Sequence, residues 1–318
     1  MSEHYVRHDV RAFLDYLKAQ NGPKLSDMDA PAARTVSRTM SHLADAPISE
    51  GVRTRDLTAP GPAGGIPLRL FETDADRDAT TIIVYIHGGG WVLGDLDTYA
   101  PLCSEIARVL KMPVISVDYR LSPENPWPAA PDDCEAGARW IAGSPAELGR
   151  AVDAIVIAGD SAGGNLTIIT SLALRDAPAA APVIAQWPIY PVVDFADRYA
   201  SYERFNEGYL LDRQALGWFT HSYQADFSHW RALPLQRTQE NMPATFVLTA
   251  ALDPLRDQGR AYAGACIQAG VPTVYQEAAG TIHGFMSLRR ALPSSEQDLS
   301  EALKTFKLVI SQAKDARK

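Results

Sequence analysis

The 318-residue chain predicts an α/β fold, a doubly wound and mostly parallel sheet of eight strands flanked by helices. Two observations carry that prediction. From about residue 52 onward, short β-rich runs alternate with stretches of helical periodicity, the signature of strand–helix–strand units. Several of the runs are apolar without interruption, such as Ile82-Ile83-Val84-Tyr85-Ile86 and Ile155-Val156-Ile157-Ala158, as expected of parallel strands buried on both faces.

Taken in order, residues 1–45 read as helical. Val6, Val10, Phe13, Leu14 and Leu17 recur at helical spacing, Asn21-Gly22-Pro23 stops that helix, and a second follows Asp29-Ala30-Pro31. Strands are expected at 52–58 and 67–72 with no helix between them, hence an antiparallel entry to the sheet. Further strands follow at 81–86, 114–119, 154–158, 183–190, 245–250 and 273–276. Helices are expected at 99–110, 131–141, 162–175, 257–269 and 294–312. Residues 194–233 break the alternation. Forty residues are too many for a simple connection, and ten of them are aromatic, from Phe195 to Trp230. They read as a helical insertion that packs with the N-terminal helices.

Composition narrows the function classes. Hydrophobic residues make up 46% and charged residues 21%, ordinary for a chain with a real core. A net charge of −8 argues against a nucleic-acid binder. No run approaches the length of a membrane span, and the first residues lack the apolar stretch of a signal peptide, so the expectation is a cytoplasmic protein without a membrane partner. Cys103, Cys134 and Cys266 are too few and too scattered for a disulfide framework or a zinc knuckle. His4 and His8 stand four apart without the glutamate of a zinc-protease helix, so no metal is expected.

Three motifs carry chemistry. Gly159-Asp160-Ser161-Ala162-Gly163 matches G-x-S-x-G between a predicted strand and a predicted helix, the setting that lifts a serine above a sheet on a tight turn. There the Ala162 N–H and the helix dipole favour a developing oxyanion. His87-Gly88-Gly89-Gly90-Trp91 follows another strand, and its glycines let backbone N–H groups approach a ligand oxygen, so Gly88 and Gly89 join Ala162 as expected oxyanion donors. His87 reads as an anchor of that loop. A serine needs a base, and the base an orienter, in the chain order serine, acid, histidine. Of the three histidines after Ser161, His221 and His229 lie in the aromatic insertion, while His283 sits in a glycine-flanked loop near the end of the sheet. Asp253, past the strand 245–250, is the expected acid and Asp257 the alternative.

The sequence resembles the hormone-sensitive-lipase-like branch of the α/β-hydrolases, the bacterial family IV esterases. The pieces that carry the resemblance are HGGGW (87–91), DYRLSPENPWPAA (118–130), GDSAGGNL (159–166), DPLRD (253–257) and HGF (283–285), in the family's order over residues 80–290. The resemblance implies an α/β-hydrolase fold and a triad of Ser161, Asp253 and His283, and the GDSAG form points to that sub-branch. It also implies a helical cap made from residues 1–45 and 194–233, over a catalytic domain of residues 46–193 and 234–318. The expected activity is hydrolysis of short- to medium-chain acyl esters through an acyl-enzyme, with no cofactor. Amide hydrolysis and acyl transfer by the same triad are the alternatives. A ligand receptor on this scaffold is disfavoured because His283 is present. Trp91, Tyr190, Tyr209, Leu210, Leu211 and Phe285 are the expected pocket walls. Two copies are expected to pair through the sheet's edge strand, for which 273–276 is the candidate. The chain departs from the family's usual runs at Ser122, Asn125 and Trp127, read as scaffold changes, and at Gln258, where the lost acid is expected to weaken a structural ion pair without touching a catalytic role.

Overall fold

The computed structural model describes residues 4–20, 22 and 24–317; Asn21 and Pro23, expected to stop the first helix, lie outside these. Eight strands form one sheet, in chain order β1 (Arg53–Gly61), β2 (Gly64–Glu72), β3 (Thr81–Ile86), β4 (Val114–Val117), β5 (Ala154–Asp160), β6 (Val183–Ile189), β7 (Ala244–Leu252) and β8 (Thr273–Ile282). Their spatial order is β1-β2-β4-β3-β5-β6-β7-β8. The first two strands are antiparallel to each other, β2 is antiparallel to β4, and all later pairings are parallel.

β3 shows why the sheet has two covered faces. Successive side chains of a strand point to opposite sides. Ile83 and Tyr85 enter the apolar layer shared with α3 (Ala100–Leu110) and α9 (Ser295–Asp315), while Ile82, Val84 and Ile86 enter the layer shared with α4 (Ala129–Ala142) and α5 (Ala162–Asp176). With both faces dry, every residue of β3 is buried.

The largest boundary differences from the sequence reading fall at the β1–β2 hairpin and at β8. β1 and β2 extend into a tight hairpin in which Gly61 pairs with Gly64, a stretch whose prolines and glycines read as loop. β8 continues past residue 276 to Ile282, because pairing with β7 outweighs the weak strand preference of Glu277-Ala278-Ala279-Gly280. His283 is therefore the first residue after a strand. β8 is also the edge of the sheet.

The N-terminal helices are α1 (His8–Gln20) and α2 (Ala30–Ala44), with Val6 in the extended lead-in rather than in the helix. Asp29 caps α2 by accepting from the Ala32 N–H at 2.8 Å. The lead-in is tied to the far end of the chain. The Arg7 N–H donates to the Gly280 carbonyl at 3.1 Å, the Arg7 guanidinium to Asp298 at 2.8 Å, and the Ser294 N–H to Asp9 at 2.8 Å. Past α2, the buried Arg289 guanidinium grips Asp45 with two bonds of 2.7 and 2.9 Å. Residues 194–233 hold α6 (Ala200–Phe205) and α7 (Arg213–Tyr223). Trp218 and Phe219 of α7 pack with Ala30 and Ala33 of α2 around Val92 and Leu93 of the glycine loop. Among the described residues no helix is long and apolar enough to cross a membrane.

Candidate active site

Three parallel strands, of which β7 and β8 are neighbours and β5 is one strand further in, past β6, end at the same edge of the sheet on residues with reactive side chains. β5 runs into Ser161, β7 into Asp253, and β8 into His283. This is the carboxyl edge at which open α/β sheets bind ligands. Ser161 has φ 56° and ψ −117°, outside the ordinary regions for a residue with a side chain. The turn is held because the Ser161 N–H donates to Ile189 O at 2.8 Å and the Ser161 carbonyl accepts the first turn of α5 from Asn165 at 3.0 Å. Gly163 is required there, since a Cβ would run into the Ile86 carbonyl.

The Ser161 Oγ lies 2.8 Å from His283 Nε2, and His283 Nδ1 lies 2.7 Å from Asp253 Oδ2. Asp253 is fully buried and His283 nearly so. The Asp253 carboxylate only accepts, so the imidazole proton sits on Nδ1 and the Nε2 lone pair faces the serine hydroxyl. The other Asp253 oxygen accepts from the Leu255 N–H at 2.8 Å. Asp257, the alternative acid, turns away: it accepts from the Ser201 N–H of α6 at 3.0 Å and from Arg256 at 2.8 Å.

The glycine loop corrects one expected donor. The Gly88 N–H is already used, donating to Asp160 Oδ1 at 3.0 Å. Among the described residues the Gly89 and Gly90 N–H groups have no partner, and both glycines line the cavity above Ser161 at positive φ, 103° and 60°. Ala162 opens α5, where the first N–H groups have no partner inside the helix. The available donors are therefore Gly89, Gly90 and Ala162. The sequence could not single out Gly90 over Gly88, because that choice depends on a carboxylate from another strand.

His87 is buried behind the loop. Its ring stacks on Tyr119 at 4.3 Å, its Nδ1 lies 2.8 Å from the Gly88 carbonyl, and burial pushes its pKa down to about 4. A neutral ring with Nδ1–H donating leaves the Nε2 lone pair facing Asp118, 4.0 Å away. Burial, with Asp95 and Asp97 nearby, pushes the Asp118 carboxyl up to about 6. The folded protein thus favours protonated Asp118, a contribution fully present below the unfolded value of about 3.9 and lost as pH rises through about 6. Asp118→Asn is accordingly expected to raise the melting temperature by roughly 2–4 °C at pH 8 and to change it little near pH 4. Paired melting curves at the two pH values check this, and equal shifts at both refute it.

A cavity of about 750 Å³ opens above Ser161. Trp91 and Leu211 are on its wall; Tyr190, Tyr209, Leu210 and Phe285 are not. Tyr190 and Phe285 are fully buried, with Tyr190 4.6 Å from the His283 ring and Phe285 5.7 Å from the Tyr190 ring. Tyr209 packs edge-on against Phe205 at 5.3 Å, and Leu210, at φ 71°, turns outward and is 44% exposed. The walls that the sequence reading missed are Tyr99 and, from the insertion, Phe195, Tyr202, Phe219 and Phe227. The aromatic richness of 194–233 was the available signal, but not which rings face inward.

A family profile for the alpha/beta hydrolase fold matches residues 83–287. The chain belongs to the α/β-hydrolase family, in its hormone-sensitive-lipase-like branch. This hydrolase is 34% identical over 296 residues to the carboxylic ester hydrolase LipN of Mycobacterium tuberculosis, covering 90% of this chain and 78% of the relative. It is 36% identical over 241 residues to an ethyl acetate hydrolase of Pseudomonas putida, covering 74% and 76%. Among solved structures, an ester hydrolase from the metagenome of Lake Arreo, complexed with a derivative of bipyridine phosphonate, superposes with a TM-score of 0.90 at 35% identity, covering 95% of this chain and 98% of the other.

Two of the hydrolase's departures from the family's runs, Gln258 and Trp127, sit where the insertion joins the sheet. Gln258 is fully buried, and its Oε1 accepts from Val193 and Asp194 N–H at 2.8 and 3.1 Å, fixing the start of the insertion with a neutral group. Trp127 meets the insertion's other end, donating its backbone N–H to Tyr223 O at 2.9 Å and its indole N–H to Arg231 O at 3.4 Å.

Proposed function

We propose that this hydrolase is a serine carboxylesterase that cleaves short- to medium-chain acyl esters through an acyl-enzyme. The observation that carries the reading is the unbroken row from Ser161 Oγ through the His283 ring to Asp253, with bonds of 2.8 and 2.7 Å. The esterase relatives support the reaction class. Ser161 Oγ attacks the ester carbonyl carbon as His283 Nε2 takes its proton, and Asp253 stabilises the imidazolium that forms. The carbonyl oxygen gathers negative charge and is bound by the Gly89, Gly90 and Ala162 N–H groups. As the tetrahedral species collapses, the carbon–oxygen bond to the alcohol breaks, and the alcohol leaves with the proton from His283. Water, deprotonated by the same nitrogen, then attacks the acyl carbon; the bond to Ser161 Oγ breaks, His283 returns the proton to that oxygen, and the acid leaves.

Residues 1–45 and 194–233 act in this reading as a cap that selects the acyl and alcohol groups. Rings brought by the insertion narrow the cavity over Ser161, which supports small acyl groups. A series of aryl esters from acetate to hexadecanoate tests it. The expected kcat/KM is highest between acetate and hexanoate and falls by about tenfold or more at the long end, the loss of roughly 1.4 kcal/mol in transition-state binding. A clear optimum at long chains overturns it. Pairing of two copies along the β8 edge is proposed for the 273–279 stretch, since Arg7 occupies Gly280 O, and light scattering that reports a monomer rejects it.

A further inference from the structure

Asp160 ends β5 immediately before Ser161 and has no part in the proton transfers above. Its side chain is buried, and burial raises its pKa. Taking a carboxylate out of water is costly unless donors surround it, and an apolar side chain would fill the same space without that cost. Here four donors converge from three segments of the chain. Tyr85 of β3 donates to Oδ1 at 3.0 Å and the Gly88 N–H to the same oxygen at 3.0 Å. Tyr99, just before α3, donates to Oδ2 at 3.1 Å, and Tyr190, just after β6, at 3.4 Å.

The bond to Gly88 has a geometric consequence. It fixes the peptide between His87 and Gly88. The next peptide is fixed through its carbonyl, since Gly88 O accepts from His87 Nδ1 at 2.8 Å. In a trans peptide the C=O and N–H point in opposite directions. With Gly88 O turned back to His87, the Gly89 N–H must point the other way, toward the cavity over Ser161. The fit is close: a Cβ on Gly88 would lie 2.6 Å from Asp160 Oδ2 and 2.8 Å from the Tyr99 hydroxyl.

We propose that Asp160 is a positioning residue for ester hydrolysis, its carboxylate holding Gly88 so that the Gly89 and Gly90 N–H groups are aimed at the substrate oxyanion. The proposal rests on the reading of Ser161 as nucleophile. Interactions made only in the transition state lower kcat when lost and leave KM alone. Asp160→Val is therefore expected to lower kcat by about 10²-fold per active site with KM within about twofold. Active sites are counted by phosphonate titration, so a loss of folded protein does not enter. The inhibition constant of an aryl trifluoromethyl ketone, which mimics the oxyanion, is expected to rise in parallel with the fall in kcat/KM. Asp160→Asn, whose amide oxygen can still accept from Gly88, is expected to recover about tenfold of the loss. Tyr99→Phe, which removes one of the four donors, is expected to lower kcat by about threefold or more with KM unchanged, and it decides the matter alone if Asp160→Val does not fold. A kcat within about twofold of wild type in Asp160→Val, or in Tyr99→Phe where only that variant folds, overturns the proposal, as does a loss that appears in KM. Ser161→Ala run alongside separates the two readings. Activity remaining in Ser161→Ala sinks the nucleophile, whereas a silent Ser161→Ala beside a wild-type-like Asp160→Val sinks only the role of Asp160.

Discussion

Ser161→Ala is expected to lower esterase turnover by about 10⁴-fold or more and to abolish covalent labelling by a phosphonate ester. The substitution removes one oxygen whose hydrogen bond runs to His283, and leaves the backbone of the turn intact. Alanine meets the same strain at φ 56° as serine does, so the fold is expected to hold. The Gly89, Gly90 and Ala162 N–H groups stay in place, and such donors alone retain roughly 10³-fold over water in enzymes that lose their nucleophile. The KM of a slow residual reaction is therefore expected to stay near wild type. Turnover of an aryl acetate and mass spectrometry of the peptide that contains Ser161 provide the readouts. Residual kcat above roughly 1% of wild type excludes Ser161 as nucleophile.

Asp253→Asn is expected to cost about 10⁴-fold in kcat with the fold and the ligand cavity unchanged. The reason lies in the second bond that Asp253 makes. One carboxylate oxygen accepts from the Leu255 N–H and the other faces His283 Nδ1. An asparagine satisfies the Leu255 N–H with its amide oxygen, which turns its NH₂ toward the imidazole. His283 Nδ1 must then accept, the proton moves to Nε2, and Nε2 no longer has a lone pair for the serine hydroxyl. Asp257→Asn provides the contrast. Its carboxylate is engaged with α6 and Arg256, so kcat is expected to stay within about threefold of wild type. Steady-state kinetics on the two variants distinguish the two acids, and a greater loss in Asp257→Asn reverses the assignment.

What the sequence revealed depended on how local the cause was. β3 is readable to the residue because both its faces are buried and its apolar run has no interruption. The motifs around Ser161 and His87 are readable because tight turns demand glycine at fixed offsets. β8 was read short because its second half is strand only through β7. The hairpin of β1 and β2 was hidden by the prolines and glycines of its own turn. Gly88 differs from its expected role as a free donor for a long-range reason: the carboxylate that takes its N–H lies 72 positions away. The pocket walls failed for a similar reason. Tyr190 and Phe285 flank motifs in the sequence, yet Tyr190 packs against the imidazole and Phe285 against Tyr190, and most rings on the wall come from an insertion whose facing no periodicity reveals.

The ties between the two ends of the chain bear on the order in which the molecule can be completed. Arg7 and Asp9 bind Gly280, Asp298 and Ser294, and Asp45 binds Arg289. During synthesis the first helices leave the ribosome long before any of these partners exists. The first of them must wait, with Val10 unburied, until the segment around His283 has been made. The same late segment brings the imidazole to Ser161. Closing the N-terminal helices over the sheet and assembling the reactive row therefore belong to one final step, and a half-made chain already carrying Ser161 has no base to activate it.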